Sequence, residues 1–447
     1  MILEDNRMST EIDKNNKRKQ IPAIGILFLA VFIDLLGFGI IIPILPIWTT
    51  KNLGYNSIVY GILVASYSFM QFLFAPIWGK LSDRKGRKPI IMIGLTGSVI
   101  GFSLLTLAFT VFPDIEMLFV ARIVSGMFTA ATLPTSQAFI TDSTTEKDRA
   151  KGFGLIGAAF GLGFTLGPGL GAVLVLVNVG LPAFVATLLT IINLGWAIKE
   201  LPESLTDEVR VSRAKAKESE LSRTDILNLF KQKPTLAIIM VMFSTLTFAF
   251  VGMETTIILL GSARFNMTDS QGGLVLLVAG VVAIITQGGL IRPLSKKFQD
   301  IHLALTGLIF LIIGFLGLST IQTLPEIMFW TIPISFGSSI GTPTLVSLLS
   351  KHAPQKQSGE ILGVNSGSAS FMRVIGPLVA TVLFFVDTSY TYYFSALILA
   401  LSFVIGLVLL RMLGKYQNFN PLVDCKNCGH QLVHGDPFCQ FCGHSVG

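Results

Sequence analysis

Three groups of residues in this chain have types and spacings that chemistry could use. The first lies at the C-terminus, where all four cysteines fall as Cys425-Lys426-Asn427-Cys428-Gly429 and Cys439-Gln440-Phe441-Cys442-Gly443. Two Cys-x-x-Cys-Gly knuckles supply four thiolates for one tetrahedral Zn2+, and each glycine lets the backbone fold under the sulfurs. Four thiolates close the site, so the metal is expected to be structural. A segment this short cannot fold on an apolar core, and the metal would supply its folding energy. Disulfides or a redox dithiol are the alternatives, and the duplicated knuckle argues against both. His430, His434 and His444 lie nearby, yet four cysteines already fill a tetrahedron.

The second group is ionisable residues inside long apolar runs: Asp34, Arg122, Glu254 and Arg373. A charge at such depth costs about 2.5–3.5 kcal/mol on insertion scales, and groups that persist there mark ion and substrate paths. A carboxyl in a low-dielectric interior is a candidate proton carrier, with Asp34 first and Glu254 second. Arg122 stays charged, so it needs a carboxylate, carbonyls or water, and Asp34 is the partner to expect. Arg373 is the matching cation of the second half of the chain, placed to neutralise Glu254.

The third group is the string Gly79-Lys80-Leu81-Ser82-Asp83-Arg84-Lys85-Gly86-Arg87-Lys88-Pro89, which packs five cations and one carboxylate into the ten positions from Lys80. Charge this dense cannot sit in hydrocarbon, so it must be a hairpin between two membrane spans, and its Lys/Arg excess places it on the cytoplasmic side. Gly79 is expected to let one helix end against a neighbour. Gly86 is expected to take a backbone conformation that a side chain would penalise.

The elements that must position these groups are transmembrane helices. The 447 residues are 51% hydrophobic and 13% charged, with a mean hydropathy of +0.70. A soluble chain carries about 25% charged residues. The net charge of +7 sits in short loops, which reads as topology and excludes nucleic acid as a partner. Windows of about 20 apolar residues fall near 23–46, 58–79, 89–110, 115–140, 152–177, 180–198, 235–261, 272–294, 301–321, 326–350, 359–386 and 390–413. Of the 33 Lys and Arg residues, Lys51 and Arg264 fall on one set of loops and Arg122 and Arg373 inside spans, leaving 29 on the opposite face. The expectation is therefore twelve spans with both termini cytoplasmic, in a multi-pass plasma-membrane protein. Residues 1–20 read as a cytoplasmic tail without a cleavable signal, 21–200 as one six-helix half, and 201–234 as a polar cytoplasmic linker. The second six-helix half covers 235–414, a short linker 415–424, and the four-cysteine ribbon 425–447. The halves echo each other: Gly154 with Gly167-Pro168 lines up with Gly363 with Gly376-Pro377. Loop 8–9 reads as a degraded copy of the basic hairpin that lacks its Asp.

The ordered string Gly-x-Leu-Ser-Asp-Arg-x-Gly-Arg-Lys resembles the loop between helices 2 and 3 of the major facilitator superfamily. The run Asp34-Leu35-Leu36-Gly37-Phe38-Gly39 with Pro43 and Pro46 resembles span 1 of its drug and tetracycline efflux members. Arg122-Ile123-Val124-Ser125-Gly126 is similar to the family's span-4 motif, and Gly163, Gly167, Pro168 and Gly171 to its span-5 antiporter motif. The resemblance covers roughly residues 21–414. It implies an all-α membrane protein of two pseudo-symmetric six-helix halves that exports lipophilic compounds against protons, as a monomer, by alternating access. It further implies that Asp83 and Arg87 form a gate, that Arg84 and Lys88 sit near anionic headgroups, and that Asp142 and Arg149 join the gate's charge network. No organic cofactor and no enzymatic chemistry are expected, since the chain has no nucleotide-binding loop and no nucleophile–base set. Two rival functions stay open: a symporter or facilitator taking up a small metabolite, and a non-transporting sensor signalling through a cytoplasmic partner of the zinc ribbon.

Overall fold

The computed structural model describes residues 25–143, 155–156, 159, 162–163, 166–205, 230–354, 358–419, 422–424 and 431–433, with side chains at all but 358–360 and those beyond 413. Eleven helices among the described residues are long and apolar enough to cross a membrane. They are α1 (Gly25–Asn52), α2 (Ser57–Lys85), α3 (Arg87–Thr110), α4 (Ile115–Ser143), α6 (Leu181–Glu200), α7 (Pro234–Phe265), α8 (Asp269–Lys297), α9 (Asp300–Leu318), α10 (Leu324–His352), α11 (Ser358–Val386) and α12 (Tyr390–Phe419). Between α4 and α6 the sequence window 152–177 lies partly outside the described residues. Its helical stretch 166–174 is α5.

Local signals explain the boundaries. The Asn56 side chain accepts from Val59 N at the start of α2, and Thr268 with Gln271 forms a reciprocal capping box at the start of α8. Asn266 takes the left-handed conformation that ends α7. Pro43 interrupts α1, which resumes at Ile44–Ile47 and closes in a π turn over Trp48–Asn52.

The two-fold repeat is visible in the packing. In the first half α3 lies against α4 and α6, and in the second α9 lies in the same way against α10 and α12. The halves meet chiefly where α2 crosses α11 and where Ile44–Ile47 of α1 lies on α7. These contacts gather at the end remote from the basic hairpin. There Ser57 Oγ donates to Thr381 O at 3.1 Å, Lys51 Nζ reaches Asn266 Oδ1 at 3.5 Å, and Gly273 of α8 fits against Pro168 and Ala172 of α5 with no room for a Cβ.

Beyond the bundle, β1 (Leu422–Asp424) pairs antiparallel with β2 (Gln431–Val433) in the register Leu422↔Val433, Val423↔Leu432 and Asp424↔Gln431. Residues 415–424, read above as a linker, hold the last turns of α12 and β1. The chain between the two strands, 425–430, carries the first cysteine knuckle; Cys425, Cys428, Cys439 and Cys442 themselves lie outside the described residues.

Candidate functional site between the halves

Asp34 sits on α1 one turn before Phe38 and is half-buried. Its Oδ1 accepts a 2.6 Å hydrogen bond from Ser98 Oγ of α3, and Ser98 is itself buried. The position of α1 is set by glycines. A Cβ on Gly163 would stand 2.7 Å from Leu35 Cβ, one on Gly167 2.8 Å from Gly39 Cα, and one on Gly171 would collide with the Ile40 carbonyl. Three of the four residues of the span-5 motif therefore let α5 lie backbone to backbone on the stretch of α1 that follows Asp34. The fourth, Pro168, touches the same place: its Cδ would be 3.1 Å from a Cβ on Gly39. In the second half Gly376 of α11 faces Phe248 and Gly252 of α7. The equivalent glycine thus meets the equivalent acid-bearing helix.

Arg122 of α4 is 4% exposed, and its partner differs from the one expected. Among the described residues no ion pair joins Arg122 to Asp34. The guanidinium lies over the ring of Tyr67 at 4.5 Å and that of Phe38 at 5.4 Å, and the two rings stack at 5.1 Å. Arg122 Nε has no hydrogen-bond partner. The reason is geometric. Asp34 faces α3 while Phe38, a turn later, faces α2, so Arg122 meets the aromatic pair instead of the carboxylate. Cation–π contacts of this kind are worth about 0.5–2 kcal/mol and leave the positive charge unneutralised. Tyr67 is fixed in turn: its hydroxyl accepts from Gln71 Nε2 at 3.0 Å and Thr129 Oγ1 at 3.1 Å.

Glu254 of α7 is half-buried, and Arg373 of α11 is exposed to the space beside it. The two act on each other electrostatically without closing into a contact ion pair. Two tyrosines of α2 tie the constellation together. Tyr67 lies within the field of Asp34, Arg122 and Arg373, and Tyr60 within that of Arg122 and Glu254. Sequence reasoning passed over both tyrosines. Their signal was the spacing Tyr60, Tyr67, Gln71, which puts three polar groups on one face of the membrane-spanning part of α2.

At the opposite end the basic hairpin is tighter than its sequence suggests. α2 runs on through Lys85, and Gly86 alone, at φ 106°, separates it from α3. Gly79 does not end a helix: it lies inside α2, and a Cβ there would meet nothing within 4 Å. Arg87 is fully buried and holds three partners, Asp83 at 2.6 Å, Asp142 at 2.9 Å and Ser82 Oγ at 2.5 Å. Arg149 lies outside the described residues. Arg84 is exposed, whereas Lys88 turns back to donate to the Ile198 carbonyl at the end of α6. A residue the sequence reading missed completes the hairpin: Glu203 accepts from Arg87 N at 2.8 Å and Lys88 N at 3.1 Å. It caps a helix whose own N-cap, Gly86, has no side chain to do so. The second half has a counterpart, in which Asp300 at the start of α9 binds Lys351 at the end of α10 at 2.7 Å.

Comparison with known proteins gives a consistent lineage. A family model described as Major Facilitator Superfamily matches residues 27–376 and 290–421. The chain is 31% identical over 379 residues to multidrug resistance protein 1 of Bacillus subtilis (strain 168), covering 85% of this chain and 94% of that protein. It is 28% identical over 369 residues to the class C tetracycline resistance protein of Escherichia coli, covering 82% and 91%. Among solved structures it resembles the human organic anion transporter MFSD10 (TETRAN) at a TM-score of 0.64 and 22% identity, covering 87% of this chain and 99% of that one. It also resembles the nucleoside transporter NupG at a TM-score of 0.69 and 13% identity, again covering 87% and 99%. Those structural likenesses bear on the fold alone.

Proposed function

The chain belongs to the Major Facilitator Superfamily, and on that premise we propose that it is a twelve-span exporter of lipophilic, drug-like compounds in exchange for protons, working by alternating access. The observation that carries the reading is Asp34: a mid-span carboxyl held by a hydroxyl rather than a guanidinium, on a helix locked to the Gly-Pro string of α5. A carboxyl bound by Ser98 alone can take up and release a proton without breaking an ion pair. Glu254 is the second candidate, moderated by Arg373. Arg122 is held over the Phe38–Tyr67 ring pair and leaves Asp34 outside any ion pair. Relatives named for multidrug and tetracycline resistance support export of lipophilic compounds.

With the basic hairpin read as cytoplasmic, the contacts between the halves at the other end support the reading of an inward-facing arrangement. In this arrangement Asp83 is bonded to Arg87 within its own half. Closure of the cytoplasmic end would bring it towards α11. The C-terminal segment is read as a structural four-cysteine zinc site. Support comes from the β1–β2 pairing that flanks the first knuckle, the strand–knuckle–strand order such a site needs, with Cys425, Cys428, Cys439 and Cys442 as the residues that would hold the metal.

The test is reconstitution in liposomes with an acidic lumen, adding lipophilic cations and neutral drugs while lumenal pH is followed. Proton efflux that depends on the compound and vanishes in Asp34→Asn is the expected result. Binding of compounds without any proton movement would overturn the antiport reading and favour the sensor.

A further inference from the structure

A cleft of about 620 Å3 opens between α7, α11 and α12, away from the charged constellation. Its walls are apolar, with Phe230, Ala237 and Met240 near one end and Phe248, Met372 and Phe394 near the other. It exists because α12 packs on α7 and α9 and makes little contact with α11, its neighbour in sequence. The hydroxyls in its wall are each engaged within the protein. Ser244 and Ser368 bond to each other at 2.5 Å, and Thr245 Oγ1 lies within hydrogen-bond distance of the Val241 carbonyl of its own helix and of Ser402 Oγ. The cleft therefore offers little to a ligand that must be hydrogen-bonded along its length, and it suits an apolar chain.

Two further features identify the occupant. From Ala237 to Phe248 the cleft follows α7 for about 16 Å at about 1.5 Å per residue, close to the roughly 15 Å of hydrocarbon in one leaflet. Phe230, which lines the cleft, is followed in the chain by Lys231 and Lys233, both exposed just before the first turn of α7. We propose that this cleft is a lipid site: one acyl chain of an anionic phospholipid lies along α7 from Ala237 to Phe248, with its headgroup beyond, near Phe230, and its phosphate against Lys231 and Lys233. The site is independent of the transport reaction proposed above.

The full-length protein in phosphatidylcholine vesicles, doped with phosphatidylglycerol carrying a diazirine on its acyl chain, tests this. Photolabelling should concentrate several-fold on 237–248 and 394–398 relative to lipid-exposed residues of other helices. Ala237→Trp, and Ile398→Trp from the opposite wall, should abolish the excess. Lys231→Gln with Lys233→Gln should bring it down to the level given by diazirine phosphatidylcholine. Uniform labelling of all exposed helices, equal labelling by both lipids in the unmodified protein, or displacement of the label by a lipophilic drug would each overturn the assignment.

Discussion

The buried charge network at the hairpin allows the contributions of its two carboxylates to be separated by magnitude. Arg87 and Asp142 have side chains 1% and 2% exposed, whereas Asp83 is 43% exposed. Removing one partner of a buried pair costs about 3–5 kcal/mol when the other is left poorly compensated, and without Asp142 the buried Arg87 keeps only a carboxylate that is itself 43% exposed and a hydroxyl. A partly solvated pair on one helix contributes about 0.2–1 kcal/mol. Asp142→Ala should therefore destabilise the protein several times more than Asp83→Ala, although both bond the same guanidinium. For a unit the size of one half, each kcal/mol shifts the unfolding midpoint by about 2–4 °C. Asp142→Ala should lose upwards of about 6 °C and Asp83→Ala less than about 4 °C. The assay is thermal unfolding in detergent at one fixed scan rate, since membrane proteins seldom refold after heating. Repeating both changes on an Arg87→Ala background closes two double-mutant cycles. A coupling energy to Arg87 as large for Asp83 as for Asp142 would refute the reasoning. If Asp83→Ala nonetheless abolishes transport while leaving the midpoint nearly unmoved, Asp83 acts in the closed state of that end.

Three other expectations follow from the packing. Gly79→Ala should leave the midpoint unchanged or raise it, since a mid-helix glycine with open space around it gains about 0.5–1 kcal/mol from a methyl. Gly171→Ala should lose about 1–3 kcal/mol by driving α5 off the Ile40 carbonyl, and a neutral result would contradict the close approach of α1 and α5. Arg122→Lys should cost about 1 kcal/mol in the native background and less in Tyr67→Leu, where only the Phe38 ring remains, because a planar guanidinium can stack on a ring as an ammonium cannot. Purified protein should carry a single zinc ion per chain by elemental analysis, lost in Cys425→Ser with Cys428→Ser.

Much of the architecture was legible in the sequence because the bilayer simplifies the code. Hydrocarbon thickness fixes span length, so the long apolar runs mark the helices that cross. Asp34, Glu254 and Arg122 stood out because charge inside an apolar run is conspicuous. What the sequence could not convey was which face of each helix those charges occupy. The Asp34–Arg122 pair was the natural expectation for two opposite charges in one half, and a rotation of one turn along α1 was enough to give each a different partner. Glu203 was invisible for another reason. It lies in a polar segment where one more carboxylate carries no signal, and its capping role depends on a helix more than a hundred residues earlier. Gly79 was expected to end a helix and Gly86 to take a special conformation, and only Gly86, with its positive φ, marks a boundary.

The paired joints at the ends of α3–α4 and α9–α10 bear on how such a duplicated chain assembles. One joint sets Arg87 of the third helix against Asp142 of the fourth, and its repeat sets Asp300 of the ninth against Lys351 of the tenth. The polarity is reversed between the copies. If α3 docked on α10 during membrane insertion, Arg87 would face Lys351, and α9 on α4 would bring Asp300 against Asp142. Like charges at either joint would repel, so the wrong partner is rejected while the right one is drawn in. The charge pattern of the two joints thus favours pairing within each half over pairing across them.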